Sequence, residues 1–408
     1  MPFADANLRT RIDGRRARLE DELTGSVIPF WMKHAPDREH GGWFDCLDRD
    51  GTVWDTRKHI WLQGRAVWML SKLHAELEPR PEFLAQAKSG AQFLREHCRR
   101  PDRRVWFCTT RDGRPVQLQR KIFSECFYVM AMAQYARVSG EAWAAKEARE
   151  VFGWILEAIA DPRLAGRARE AGEPATRSLA VPMIVLNLIQ ELDGGFHGEH
   201  AADARRCAAD ARQFLRRDRK VVLETIAADG SDLDSPEGRL LNPGHAIEMG
   251  WFLLDHARAT GDEACAKDAL DAIEWSLERG WDPVHGGLYY FLDEHGRSPA
   301  QLEWPMKLWW PHCEALVACA KAFEHTRDRA WFERWVRVAD WTFARFPDAA
   351  HGEWFGYLDR QGAVSQRFKG GPYKGFFHVP RALLYTARAL KGALEPRSQA
   401  PAAAVKNS

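Results

Sequence analysis

The chain has 408 residues, 45% hydrophobic and 28% charged, with a formal net charge of +1. This is ordinary composition for a folded globular protein, and near-neutral charge excludes the basic footprint of a nucleic-acid or anionic-membrane binder. The amino-terminal MPFADANLRTRIDGRR lacks an apolar h-region, so no secretory signal is expected, and no apolar run reaches the length of a membrane span. Eight cysteines without a C-x-x-C pair read as reduced core thiols of a cytoplasmic protein. Tryptophan, with 18 copies, exceeds what core packing needs; most are assigned to helix packing and a few to the walls of a sugar site.

Five segments repeat one pattern, an apolar and aromatic run followed by a turn ending in glycine: GGWFDCLDRDGTV from Gly41, RVWFCTTRDGRPV from Arg104, KVVLETIAADGSD from Lys220, GGLYYFLDEHGRS from Gly286 and GEWFGYLDRQGAV from Gly352. Each reads as a short β-hairpin. The turn glycines Gly51, Gly113, Gly230, Gly296 and Gly362 are separated by 62, 117, 66 and 66 residues. The long interval is close to two periods with one hairpin missing, so about six copies of one unit fill the chain.

Between the hairpins the period becomes helical. RRARLEDELTGSVIPFWMKHA, PEFLAQAKSGAQFLREHC, EAWAAKEAREVFGWILEAIA, AADARRCAADARQFLRR, DEACAKDALDAIEWSLERG and RAWFERWVRVADWTFARF are amphipathic and read as outer helices. WLQGRAVWMLSKLH, IFSECFYVMAMAQYA, LAVPMIVLNLIQEL, GHAIEMGWFLLDHA, WWPHCEALVACAKAF and GFFHVPRALLYTARAL are more apolar and read as inner helices. Six alternating pairs predict an all-α fold, an (α/α)6 barrel or toroid, with short β-hairpins in the loops at the active-site end. One catalytic domain is expected over residues 1–394, with a Pro/Ala-rich, disordered tail over 395–408.

In such a toroid the inner helices begin around one central pit, where their unpaired N–H groups and positive dipole ends favour ligand binding. The polar residues of the inner set cluster at those starts: Gln63 and Arg65, Ser124 and Glu125, Asn187, His245 and Glu248, His312 and Glu314 after Lys307 and Trp309-Trp310, and His378 with Arg381. Each alone reads as a packing residue or an ion-pair partner, with Glu125 and Glu314 available to the arginines. Together, at equivalent places on helices far apart in sequence, they point to a binding site, because burying such groups is otherwise costly. His245 and Glu248 share a helix face at i and i+3, where the carboxylate is expected to orient the imidazole and raise its basicity. H-x-x-E alone does not complete a metal site, and neither a phosphate loop nor a dinucleotide G-x-G-x-x-G is present, so neither metal nor cofactor is expected.

WLQGRAVWML, KIFSECFYVMAMA, NPGHAIEMGWFLL, LEWPMKLWWPHCEAL and KGGPYKGFFHVPRAL resemble, in order, motifs of the N-acylglucosamine 2-epimerase superfamily. The likeness runs from about His40 to Leu390. This superfamily also holds cellobiose 2-epimerases, mannose 2-epimerases and mannose-type aldose–ketose isomerases, and the resemblance implies an (α/α)6 barrel. It implies that His245 and His378 are the two acid/base histidines, that Glu248 supports them, that Arg65 lies near the sugar O1 and O2, and that Trp309-Trp310 contact the sugar. Glu125, Met183, Asn187, His312, Glu314, Phe376 and Arg381 complete the expected site. Met183 and Asn187 stand where the disaccharide branch carries Asn and His, which points to a free monosaccharide. Phe376 replaces a cysteine common in the N-acylglucosamine branch. The ATP response and renin binding of mammalian members are not implied here.

The expected reaction interconverts N-acetylglucosamine and N-acetylmannosamine. One histidine removes the C2 proton, the other returns one to the opposite face, and Arg65 stabilises the enediolate. His378 or Glu248 is expected to open the ring. The alternatives are a mannose 2-epimerase or a mannose–fructose isomerase sharing that intermediate, an (α/α)6 glycosidase using two of Glu125, Glu248 and Glu314, and a non-catalytic sugar-binding protein. The partner is a small sugar, with no nucleic acid and no membrane, and a homodimer is expected.

Overall fold

The computed structural model describes residues 6–166 and 171–396. The apolar helices form the inner ring: α3 (Ile60–Glu76), α5 (Phe123–Ser139), α7 (Ala180–Asp193), α9 (Pro243–Thr260), α11 (Trp309–Thr326) and α13 (His378–Leu394). The amphipathic ones surround it: α1 (Ala6–Glu22) with α2 (Ile28–His34), α4 (Pro81–Phe93), α6 (Ala142–Ala160), α8 (Ala201–Arg212), α10 (Glu263–Gly280) and α12 (Arg329–Phe343). This is the six-pair barrel that the periodicity predicts. The first outer helix is broken into α1 and α2 by a π-helical turn at Leu23–Val27, and a second π turn at Leu94–Cys98 ends α4. The expected tail lies outside the described residues beyond Pro396.

Burial explains the two helix classes. Twelve of the 17 residues of α3 and of α5 are buried, because an inner helix is covered by its outer partner and by both ring neighbours. In α1 only Leu8, Ile12 and Leu19 are buried. Most tryptophans do serve packing: 12 of the 18 are buried, and Trp31, Trp43, Trp68, Trp251, Trp335 and Trp354 fully so. All eight cysteines are buried free thiols. No helix of the described residues is long and apolar enough to cross a membrane.

All five turn glycines have positive φ, for example +89° at Gly51 and +90° at Gly113, where a side chain would be strained. At Gly51 a Cβ would also lie 2.2 Å from the His34 ring. Strands pair across three of these turns, β1 (Cys46–Leu47) with β2 (Val53–Asp55), β4 (Cys108–Thr109) with β5 (Pro115–Gln117) and β13 (Tyr357–Leu358) with β14 (Val364–Gln366). Among the described residues the segments at Gly230 and Gly296 form the turn with no strand pair across it, so two of the five expected hairpins are turns only. The short strands also join neighbouring units. The strand that leads into an inner helix pairs antiparallel with a strand of the following unit. Thus β3 (Lys58–His59) joins β4, β6 (Thr176–Ser178) joins β9 (Thr225–Ala227), β10 (Leu240–Leu241) joins β11 (Leu292–Asp293) and β12 (Lys307–Leu308) joins β13. Residues 369 and 370, ahead of α13, bond to Leu47 in β1 and close the circle. These strands therefore link neighbouring units at the end where the inner helices begin.

Candidate active site

At that end a cavity of about 190 Å³ opens between the inner helices. Helical spacing decides what reaches it. From α3 come Trp61 and Arg65, from α5 Phe123, Phe127 and Met130, from α7 Ala180, Met183, Ile184 and Asn187, from α9 His245, Glu248 and Phe252, and from the start of α13 Phe377, His378 and Arg381. These spacings of three, four and seven each define one helix face.

His245 lies in the first turn of α9, where the Asn242 side chain accepts its backbone N–H at 3.2 Å. Its ring Nδ1 meets Glu224, at 2.9 Å to Oε1 and 3.1 Å to Oε2. This corrects the expected pairing with Glu248. Glu248 is drawn instead to the Arg381 guanidinium, whose Nη2 donates to it at 2.6 Å. Glu224 was missed because it lies in the short link between β8 (Val221–Val222) and β9, two strands of different sheets, 21 residues upstream. One signal was available. Counting six residues back from each turn glycine gives Asp45, Phe107, Glu224, Tyr290 and Gly356, so this position carries a carboxylate in two units, Asp45 and Glu224, and an aromatic ring in two others.

His378 opens α13, and its Nδ1 meets Glu314 Oε1 at 2.7 Å. The same oxygen accepts Arg381 Nη2 at 2.6 Å, while Oε2 accepts the Trp251 indole N–H at 2.9 Å. Both histidines are thus carboxylate-anchored through Nδ1, which leaves each Nε2 for the cavity. Trp310 lies beside both imidazoles, with ring centroids 5.2 Å from His245 and 5.9 Å from His378. It can lie there because Gly244 has no Cβ; one would come within 2.4 Å of the Trp310 ring.

The two histidines differ electrostatically. Burial disfavours the charged form of His245, but the Glu224 carboxylate beside it, helped by Glu248 and Glu314, outweighs burial and raises its pKa above the ordinary value. For His378 burial acts first, and the positive Arg381 and Arg65 act in the same direction, so its pKa falls well below the ordinary value. Arg65 is half-buried, with its guanidinium 4.0 Å from the centre of the Phe127 ring, and its buried Nε has no hydrogen-bond partner among the described residues. Burial pushes its pKa down to about 9, which still leaves it charged at neutral pH.

Four other expected site residues lie elsewhere. Glu125 is buried but accepts Arg104 Nε at 3.0 Å and the Val105 N–H, away from the cavity. His312 uses both ring nitrogens structurally: Nδ1 bonds to the Leu308 carbonyl at 2.6 Å and Nε2 accepts the Leu288 N–H at 2.9 Å. It stacks on Trp341 of α12, and burial lowers its pKa to about 3. Phe376 stacks on Trp43, 5.6 Å away, so its neighbour Phe377 is the residue that lines the cavity. Trp309 packs edge-on to Tyr357 and is not part of the cavity wall. Glu314 stands just behind the wall as the anchor of His378 and Arg381.

Donor atoms of Glu248, Glu314 and His378 lie within 4.8 Å of one another, a spacing a metal ion could use. Arg381 already places a positive charge among them, bonded to both carboxylates and 3.4 Å from His378 Nδ1. These donors therefore fit a guanidinium better than an added cation. The arrangement suits proton transfer at a carbon held between two imidazoles, with the Arg65 and Arg381 cations beside it.

Residues 42–382 match the family model for N-acylglucosamine 2-epimerase. The chain is 44% identical over 393 residues to the N-acylglucosamine 2-epimerase of Bos taurus, which covers 93% of this chain and 92% of the relative. It is 43% identical to that of Homo sapiens over 384 residues, 92% of this chain and 90% of the relative. The solved cellobiose 2-epimerase from Bacillus thermoamylovorans B4167 superposes with a TM-score of 0.81 at 21% identity, covering 92% of this chain and 99% of that one, and shares the fold. The chain is an isomerase that belongs to the N-acylglucosamine 2-epimerase family.

Proposed function

We propose that this chain is an N-acylglucosamine 2-epimerase that interconverts N-acetyl-D-glucosamine and N-acetyl-D-mannosamine. The observation that carries the chemistry is the pair of histidines on different inner helices, each anchored through Nδ1 on its own carboxylate and lining one cavity. Their opposed pKa shifts support the following roles in the resting enzyme. Neutral His378 takes the C2 proton of the open-chain aldose at Nε2. The electron pair moves through C1 onto O1, forming the enediolate. Protonated His245 then delivers a proton to the opposite face of C2; the reverse direction starts from the exchanged state, with neutral His245 as base and protonated His378 as acid. Arg65 supplies the fixed positive charge beside O1. Glu248 is bound to Arg381, which favours His378 for opening the sugar ring.

The apolar wall of α5 and α7 suits an N-acetyl methyl better than a bare hydroxyl and supports this substrate over mannose. A glycosidase needs a free carboxylic acid and a free carboxylate; Glu248, Glu314 and Glu125 are all held by arginines. The free buried thiols support the cytoplasmic setting, and the homodimer is carried over from the family resemblance alone. Proton NMR in deuterated water tests the function. N-acetylmannosamine is expected to give N-acetylglucosamine deuterated at C2. Turnover of mannose alone, or formation of a ketose, would overturn the assignment.

A further inference from the structure

We propose that the side-chain amide of Asn187 pairs with the acetamido group of the substrate and makes the site selective for an N-acylated sugar; this rests on the epimerase reading above. Asn187 is 4% exposed, lines the cavity, and its Oδ1 has no hydrogen-bond partner among the described residues. A buried, unpartnered amide costs stability and is retained where a ligand completes its bonding. Every other cavity-lining side chain of α5 and α7 among the described residues is apolar. Asn187 is thus an isolated polar group in an apolar wall.

The order of helices around the ring places that amide relative to the reacting carbon. His245 on α9 and His378 on α13 flank α11, whose Trp310 lies beside both rings. The two faces of the planar intermediate must turn toward these histidines. The in-plane substituents of C2 then extend away from Trp310, toward α3, α5 and α7. Arg65 on α3 takes the charge at O1, and α7 offers Asn187 on the other side. An acetamido group presents one N–H and one C=O, which match the one acceptor and one donor group of the Asn187 amide in either amide orientation. Its methyl then meets Met183, one turn earlier on α7, and Met130 of α5. A hydroxyl at C2 satisfies only part of this amide and leaves the apolar surface uncovered.

Asn187→Leu keeps the side-chain shape and removes the polar atoms. Its KM for N-acetylmannosamine is expected to rise about 3- to 10-fold, the range for one neutral hydrogen bond, with kcat within about twofold. As competitive inhibitors, N-acetylglucosaminitol is expected to weaken by the same factor and glucitol to bind unchanged. The melting temperature is expected to hold or rise, because an unpaired buried amide is gone, and Asn187→Ala provides a second variant with the same expected selectivity. An unchanged KM, equal weakening of both alditols, or a large fall in kcat alone overturns the inference while leaving the epimerase reading in place. Wild-type enzyme that turns over mannose but not N-acetylmannosamine overturns both.

Discussion

Replacing Glu224 by glutamine isolates the charge that holds His245 protonated. The Glu224 backbone is fixed at both ends of its peptide: its N–H bonds to Leu240 O at 3.2 Å, and its carbonyl accepts Leu179 N–H at 3.0 Å. Glutamine can therefore keep the hydrogen bond to His245 Nδ1 while losing the charge. A hydrogen bond to a charged group is worth about 1.5–3 kcal/mol and a neutral one about 0.5–1.5, so the difference is on the order of 1 kcal/mol, or roughly one pKa unit. Glu248 and Glu314 still act on the ring, so the pKa of His245 falls without collapsing. Each reaction direction needs a single proton on the pair, on His245 for one epimer and on His378 for the other. The rate should therefore fall on the acid side as His378 protonates and on the alkaline side as His245 deprotonates. In Glu224→Gln the alkaline limb of kcat/KM, followed by loss of the C2 proton in deuterated water, is expected to move about one unit toward lower pH, with the acid limb in place. Stability has a matching sign. A pKa raised by folding adds stability that is full below the unfolded value near 6.5 and is lost as pH rises through the folded value. The melting deficit of the variant should therefore be larger at pH 5.5 than at pH 9. An alkaline limb that stays put, or moves upward, refutes the assignment of Glu224 as the group that charges His245.

Arg65→Met removes the half-buried guanidinium that lies 4.0 Å from the Phe127 ring centre and is expected to lower kcat by about 10²–10³ with helical circular dichroism unchanged; near-normal turnover removes Arg65 from the chemistry. Exhaustive chelation is expected to leave turnover intact, since Arg381 already sits among Glu248, Glu314 and His378; activity lost and restored by one divalent ion would place a cation there instead.

What was legible in the sequence was what period and local chemistry encode. The alternation of amphipathic and apolar helices gave the barrel, and the spacing of glycines gave the hairpin turns. Helix starts located the cavity, and residues three, four and seven apart on α5 and α7 reached it together. What was not legible is set by distant partners. Nothing local tells Glu248 that α13 will bring Arg381 within 2.6 Å of it, and nothing near His245 announces a carboxylate from the link between β8 and β9. His312 has the sequence neighbourhood of a site residue, yet it begins a helix face that turns outward to Trp341. Phe376 was placed one residue out of phase. The chain bends just ahead of α13, with Phe377 at φ −149° and ψ −78°, and such a bend reassigns which of two adjacent rings faces inward.

The hairpin end of the barrel carries a further regularity that bears on how the site stays in shape. Asp37, Asp282 and Asp348 each lie in a loop ahead of an inner helix and each bind two cations. The first is a fully buried lysine from the segment entering that helix: Lys58, Lys307 or Lys369, at 3.0, 3.1 and 3.0 Å. The second is an arginine two residues before the turn glycine of the next hairpin: Arg111, Arg360 or Arg49. The Arg49–Asp348 contact joins the last unit to the first. Removing such an aspartate would leave a lysine charge buried and unpaired, a loss of about 3–5 kcal/mol. These clasps tie together the units that carry α11, α13, α3 and α5, and so Glu314, His378, Arg381 and Arg65. The turns at Gly230 and Gly296 have Ala228 and Glu294 where the others have arginine. On that side His245 is held by Glu224 and the Asn242 cap instead, and Asn187 is held by no side-chain bond among the described residues. One half of the site is therefore braced by lysine–aspartate–arginine clasps, while on the other half the units are tied by the β6–β9 and β10–β11 pairings and by the Arg239–Asp293 and Arg219–Glu294 ion pairs. Substrate preference can then change on α7 without disturbing the network that sets the two histidine pKa values.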